Sequence, residues 1–421
     1  MTTAVHSASR LYFLDWLRIA AFFLLILYHT GMYYVTWDWH VKSPYASAAI
    51  EPLMLLSSPW RMSLLFLIGG AASGFLLAKL ARGRFLRERS RRLLLPLLFG
   101  MLVIVPPQSY CEVIEKLGYA GSYADFMRLY VSAYHGFCRG DDCLDLPTWN
   151  HLWFLAYLWA YTVVLALLAF LAGTQRLDRA GERLASLLAG PRALLLPAAY
   201  LALARIALKP YFEETHALVD DWYNHAVYLP LFLAGVLLAA RQRFWAELER
   251  LRWHALAIAL AGWALLVCLY SLPEAAYGWR GFGLLAAGVR SPFQWCAIVA
   301  LCGFARRHLD ADSAARRYLT LAVYPVYIVH QTLIVGMAML LKPVRMAPGP
   351  EGAVLVVLTL TFSLGIFELV RRVPGVRALF GIAARQGSGS VPAAGPTPVS
   401  IGKDALADDK NRGQSEVARI L

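Results

Sequence analysis

Leu11 to Tyr34 reads LYFLDWLRIAAFFLLILYHTGMYY, an apolar run long enough to cross the ~30 Å hydrocarbon core of a bilayer as one α-helix. Two polar side chains bracket it, Arg18 towards the start and His29 towards the end. At about 100° per residue the steps between them close nearly on whole turns, so both lie on almost one face, roughly 16 Å apart along the axis. A central Arg in a span costs about 2.5–3.5 kcal/mol, so such groups usually face a partner or a cavity. Two accounts are open. One is a single polar track running inwards from one side of the membrane. The other has Arg18 snorkelling to the headgroups, paired with Asp15 one turn back, while His29 anchors the far interface.

The rest of the chain is built from similar runs. Of its 421 residues 59% are hydrophobic and only 16% charged, against about 25% charged in ordinary globular domains. Thirteen Trp, many near the ends of apolar runs, suit aromatic belts at two interfaces. This composition predicts an all-α, polytopic membrane helix bundle. The net charge of +13 sits mostly in short blocks between apolar runs. There it sets topology, and no nucleic acid is expected as a partner.

Ten transmembrane helices are expected: 11–34, 60–80, 92–110, 150–173, 193–209, 225–240, 253–272, 283–304, 318–341 and 353–370. The fifth and sixth are short and interrupted by Pro197 and Pro230. Lys79, Arg82, Arg84, Arg87, Arg89, Arg91 and Arg92 follow the second span, and Arg176, Arg179, Arg183 and Arg192 the fourth. Arg241, Arg243, Arg250 and Arg252 follow the sixth, Arg306, Arg307, Arg316 and Arg317 the eighth, and Arg371, Arg372 and Arg377 the tenth. The alternate connections are poorer, with only Arg280 in the seventh. By the positive-inside rule both termini are cytoplasmic. Residues 1–10 then form a cytoplasmic N-terminus, 11–382 the membrane domain, and 383–421, rich in Gly, Ser, Pro and alternating charge, a disordered cytoplasmic tail. The first apolar run exceeds a signal-peptide core and lacks a small-x-small exit.

The same topology places WDWHVKSP (37–44), the loop 111–149 and the segment 209–225 outside. Their Trp, Tyr, Asp and His suit sugar rings, or simply mark an interface. Cys138 and Cys143, five apart in FCRGDDCLD, can pair locally if that loop is in an oxidising compartment. No metal site is expected: CxxxxC alone is a weak zinc signal, and His216 and His225 lack ligand spacing.

Three groups offer chemistry. The first is Arg18 with His29. The second is RFLRERSRRLLLP, where Arg89 and Arg92, three apart, share a helical face. Guanidinium forks grip phosphates, although the cluster taken alone is better explained by positive-inside topology and attraction to anionic lipid. The third is TWNHLWFLAYLW (148–159), which brings Asn150, His151 and Trp153 to the start of the fourth span.

In that order the groups resemble the acyltransferase 3 family of integral membrane acyltransferases, most closely its glucan-modifying branch. That family's first helix carries a basic residue, ten intervening residues and a His, as Arg18 and His29 do. Its third helix opens on Arg-x-x-Arg, matched by Arg89 and Arg92. PWRMSLLFLIGGAASGF (59–75), HLWFL (151–155) and YPVYIVHQTLIV (324–335) also look like family segments. One departure is Gly69-Gly70, where relatives tend to have Ser-Gly. No G-x-S-x-G elbow appears.

The resemblance implies a membrane-embedded O-acyltransferase of the bacterial inner membrane. Its donor is acyl-CoA, with succinyl or acetyl as the acyl group. Its acceptor is a hydroxyl of a periplasmic or cell-surface carbohydrate such as a glucan, and no bound cofactor is expected. Arg18, Arg89 and Arg92 then hold the donor. His29 acts as general base, with a covalent acyl-His29 relay as the open variant. His151, Trp153, Asn150, Tyr327, His330, Asp38 and His40 are candidates for acceptor binding or support. The competing class is a multi-span transporter or exporter without acyl-transfer chemistry.

Overall fold

The structure, a computed structural model, describes residues 11–382 apart from positions 141 and 280. The expected N-terminal segment 1–10, the tail 383–421 and Arg280 lie outside the described residues. The helices are α1 (Tyr12–Tyr34), α2 (Glu51–Ser57), α3 (Arg61–Leu77), α4 (Arg82–Phe99), α5 (Pro106–Leu117), α6 (Tyr123–Val131) and α7 (Trp153–Ala172). They continue as α8 (Thr174–Leu187), α9 (Arg192–Leu208), α10 (Trp222–Leu238), α11 (Gln242–Tyr270), α12 (Phe282–His308), α13 (Ala314–Leu341) and α14 (Pro348–Val370). Among the described residues, β-structure is confined to a two-residue pairing of Cys138–Arg139 with Asp142–Cys143, closed by a Cys138–Cys143 disulfide.

The all-α membrane bundle expected from composition is what folds, with a correction to the count. Among the described residues seven helices are long and apolar enough to cross a membrane, or up to nine if each of two bent pairs is one span. The expected ten is reached only by also counting α10, a shorter apolar helix. The expected span 92–110 is part of a longer broken element: α4 begins at Arg82, loosens into a π turn at Gly100–Ile104, and meets α5 at 41°. Pro106 and Pro107 cause the bend, because neither offers an N–H to the preceding turn. The carbonyls at the break find other donors. Tyr130 Oη donates to Met101 O at 2.8 Å, and Thr332 Oγ1 to Ile104 O at 2.7 Å. The fifth expected span is α9, which meets α8 at a 105° corner where Gly190 takes φ 62°.

α1 runs through the middle, packed on α12, α13, α14 and α3. α3 and α10 touch backbone to backbone: a Cβ on Gly70 would fall on the Phe232 carbonyl, and one on Gly235 on the Leu67 carbonyl. Small residues allow this approach where lipid supplies no hydrophobic drive between helices.

Ion pairs tie alternate connections together on one face. Arg241 binds Asp178 and Glu182, Arg243 binds Glu182 at 2.6 Å, and Arg306 binds Glu249 at 3.2 Å. Arg316, 1% exposed, joins Asp15 at the start of α1 to Asp312 at 2.6 and 2.8 Å. These residues come from the start of α1 and from the connections after the fourth, sixth and eighth expected spans, and this is the basic face. On the opposite, loop face Lys116 binds Asp38 at 2.7 Å, and Lys342 binds Glu115. The ion pairs thus gather the start of α1 and three alternate connections on one side of the bundle.

Candidate active site

α1 carries Arg18 and His29 on one stripe, but they do not share one polar track. Arg18 lines a small cavity of about 80 Å³ with Arg89, Arg92, Gly69 and Tyr324. His29 lines a second cavity, about 410 Å³, that reaches to the loop residues Trp37, Glu214 and His216. Aromatic rings fill the space between. Phe22 meets Tyr327 at 5.1 Å and Phe154 at 6.5 Å, centroid to centroid. The single track is thus corrected to two chambers with an aromatic partition, because Phe22 stands on the stripe between the two polar residues.

In the small chamber Arg18 reaches Asp15 at 3.3 Å, the pairing expected one turn back, and at the same time lines the cavity. Arg89 is 6% exposed, and its Nε and Nη2 meet no acceptor among the described residues. Three guanidinium groups line this chamber without a carboxylate among the lining residues. Such a chamber suits a multiply charged anion.

Hydrogen bonds in the larger chamber fix the tautomers. His330 Nδ1 lies 2.6 Å from the carbonyl of Tyr327, which can only accept, so Nδ1 carries the proton. His330 Nε2 is then an acceptor, and His29 Nδ1, 2.9 Å away, donates to it. The two rings are stacked 9° from parallel. His29 Nε2 is left with its lone pair and no donor among the described residues. The partly exposed ring opens to the cavity rather than to lipid. This is the arrangement of a base held in orientation by a second group, with a neutral imidazole where the Ser–His–Asp triad uses a carboxylate.

His151 differs. Its Nε2 donates to Ile328 O at 3.0 Å, and its Nδ1 accepts from Gln108 Nε2 at 3.4 Å. Both nitrogens are engaged, so the ring holds structure. Tyr327 Oη returns the clamp by donating to His151 O at 2.6 Å. Asn150 takes φ 40°, a left-handed conformation its short amide tolerates, and its Nδ2 donates to Gln108 Oε1 at 3.3 Å. Trp153 lines the chamber with its ring 4.1 Å from that of His216. Burial, only partly offset by Asp221 and Glu214, holds His216 below the ordinary histidine range.

Asp38 and His40 do not line the chamber. Asp38 is taken by Lys116, and His40 belongs to a relay leading inward. Glu112 accepts from His40 Nδ1 at 2.6 Å, and His40 Nε2 accepts from Gln331 Nε2 at 2.9 Å. Gln331 also donates to Gln108 Oε1 at 3.0 Å, and Gln108 Nε2 donates to Thr332 Oγ1 at 2.6 Å.

Sequence reasoning missed Gln108, Arg61 and the buried Asp221. Asp221 accepts from Tyr157 Oη, Asn224 Nδ2 and the His216 N–H, and so anchors the loop that walls the chamber. A polar residue directly after Pro106-Pro107 was an available signal for Gln108, since a proline pair inside an apolar run marks a broken span.

The model of a family described as an acyltransferase domain matches residues 11–368. Among characterised proteins, the glucans biosynthesis protein C of Salmonella heidelberg (strain SL476) is 28% identical over 238 residues, 55% of this chain and 58% of that protein. The glucans biosynthesis protein C of Salmonella schwarzengrund (strain CVM19633) matches to the same extent, 28% over 238 residues. The chain thus spans a little over half the length of these relatives. No solved structure matches it.

Proposed function

The chain belongs to the acyltransferase 3 family, whose activity is O-acyl transfer within a multi-pass membrane protein. On that premise we propose that it moves a succinyl or acetyl group from acyl-CoA, held at the basic face, to a hydroxyl of a glucan-like carbohydrate arriving from the loop face. The basic face then looks to the cytoplasm of a bacterial inner membrane, in keeping with the positive-inside rule.

The single observation that carries the reading is the free Nε2 of His29 in a solvent-reaching chamber, oriented by His330. Arg18, Arg89 and Arg92 grip the donor's phosphates. The thin pantetheine arm passes the partition at Phe22 and sets the thioester beside His29. His29 Nε2 takes the proton from the acceptor hydroxyl as its oxygen attacks the thioester carbonyl. The tetrahedral intermediate collapses with cleavage of the C–S bond, and the departing thiolate takes the proton back from His29. The products are an ester and free CoA thiol. Base catalysis of this kind is worth roughly 10²–10⁴ in rate. The neutral His330 acceptor strengthens its hydrogen bond when His29 becomes an imidazolium.

The test is transfer in proteoliposomes, with radiolabelled acyl-CoA on the side of Arg89 and glucan on the other. Label is expected in the glucan with the native protein and not with His29→Ala. Passage of an unmodified solute without label in the glucan would support a transporter instead.

A further inference from the structure

Arg61, the first residue of α3, is 5% exposed and lines the same chamber as His29. Its Nη1 donates to Ser57 Oγ at 3.3 Å, and its guanidinium lies 3.7 Å from the centroid of the Tyr28 ring. Its Nε meets no acceptor, and no carboxylate among the described residues is within ion-pair distance. The Tyr28 and His29 rings are 5.9 Å apart, which keeps the guanidinium within about 10 Å of the imidazole. Arg290 lines the chamber too. The one carboxylate in the lining, Glu214, is already bound by Lys209 at 2.8 Å.

A buried guanidinium normally has a carboxylate or a full set of acceptors, because an isolated buried charge is costly. Arg61 has neither, although the cavity beside it leaves room for a ligand. A neutral sugar acceptor supplies no formal charge to match it. The two acyl groups considered above differ by a CH2–COO⁻ unit, whose carboxylate a guanidinium fork fits bidentately. We propose that Arg61 binds the free carboxylate of a dicarboxylic acyl group while its thioester end lies at His29. The chamber thereby selects a succinyl-type donor over acetyl. Arg61 is a specificity residue on this account, which rests on the acyl-transfer reading. An oxyanion of the tetrahedral intermediate is the other anion the reaction offers, and the test separates the two.

The experiment compares succinyl-CoA and acetyl-CoA with the full-length protein in proteoliposomes, native, Arg61→Gln and Arg61→Lys. Binding of the two non-transferable analogues, with methylene in place of the thioester sulfur, is measured alongside. Native protein is expected to favour the succinyl donor at least tenfold in kcat/KM. Arg61→Gln should cut that donor about 100-fold, mainly through KM, and leave acetyl transfer within about threefold. Arg61→Lys, which keeps the charge without the fork, should fall between. The analogue with the extra carboxylate should lose its affinity advantage in Arg61→Gln alone. Equal loss of kcat on both donors would assign Arg61 to the oxyanion, and a native preference for acetyl would also overturn the proposal. Should no donor be transferred, the acyl-transfer reading fails, while analogue binding still decides the role of Arg61. If Arg61→Gln does not insert, Arg61→Lys and the native donor preference decide it.

Discussion

His29 Nδ1 and His330 Nε2 face each other at 2.9 Å across rings only 9° from parallel. The second ring is itself pinned, because His330 Nδ1 gives its proton to the Tyr327 carbonyl at 2.6 Å. One proton position therefore fixes the next, and the outcome is a lone pair on His29 Nε2 directed at the chamber. Replacing His330 by Ala removes the acceptor that orients His29 and steadies its charged form. Transfer should fall about 10²-fold in kcat with little change in donor KM, the size of a lost orienting hydrogen bond in a catalytic pair. His330→Gln, which can present an amide oxygen, should recover part of that loss. Equal activity of the two variants would reduce His330 to packing.

Arg89 illustrates a conflict between binding and stability. Its guanidinium is buried, and two of its nitrogens lack acceptors among the described residues. Arg89→Gln combined with Arg92→Gln should raise the donor KM by tenfold or more, at about 1.5–3 kcal/mol per charge-assisted bond. The same double variant should unfold at a higher temperature than native protein without donor, because an unmatched buried charge is gone. Adding CoA should stabilise the native protein and not the variant. Thermal unfolding in detergent with and without CoA checks both signs.

Phe22 stands one turn after Arg18, on the stripe that leads to His29, and its ring packs on Tyr327 and Phe154. Its removal should join the two chambers and let water reach the thioester. Phe22→Ala is expected to raise acyl-CoA hydrolysis in the absence of acceptor several-fold relative to transfer. The deletion also costs stability, about 3–5 kcal/mol for a buried Phe, so Phe22→Leu serves as the milder probe. A hydrolysis-to-transfer ratio unchanged in both variants would show that the partition does not guard the thioester.

The helices and the motif residues were legible because their signals are local. Apolar length marked α1, and the spacing of Arg18 to His29 and of Arg89 to Arg92 is helix arithmetic. The partition was not read, although Phe22 sits at i+4 from Arg18, because a charge-to-charge reading passes over the ring between. What could not be read locally is partnership across the chain. Gln108 meets Thr332 and Arg316 meets Asp15 across separations of 224 and 301 residues. Arg61 looks like an interfacial anchor beside Trp60, and only the lack of a nearby carboxylate in three dimensions distinguishes it. The count of spans differs where α10 is short and where the chain bends, at Pro106-Pro107 and at the Gly190 corner.

Gly69 and Gly70 are neighbours in sequence with opposite tolerances. A Cβ on Gly70 would strike the Phe232 backbone carbonyl, which cannot yield unless α3 and α10 part. Gly70→Ala should destabilise by about 1–3 kcal/mol, the range for overpacking. A Cβ on Gly69 meets only the end of Leu158 at 3.1 Å, beside the chamber of Arg89 and Arg92. Gly69→Ser should therefore fold normally and alter donor KM rather than stability. Thermal unfolding of the two variants side by side, with donor titrations of the second, tests the pair.

Gln108 ties α5 to α13 and to the 150–152 turn through four partners at one buried amide. It is fully buried, donates to Thr332 Oγ1 and His151 Nδ1, and accepts from Asn150 and Gln331. Leu at this position would fill the space and strand those partners. Each buried polar group left without a partner costs about 1–3 kcal/mol, with some relief from water. Gln108→Leu should lose at least 2 kcal/mol of stability on that scale. It should also lower kcat, because freeing His151 loosens its bond to Ile328 and the Tyr327 clamp that orients His330. Gln108→Glu keeps the acceptor but not both donors, so the Asn150 and Gln331 bonds survive while those to His151 and Thr332 suffer. If Gln108 acts through that clamp, the Glu variant should share the kcat loss and leave donor KM near native. A Glu variant with native kcat would separate the amide from catalysis.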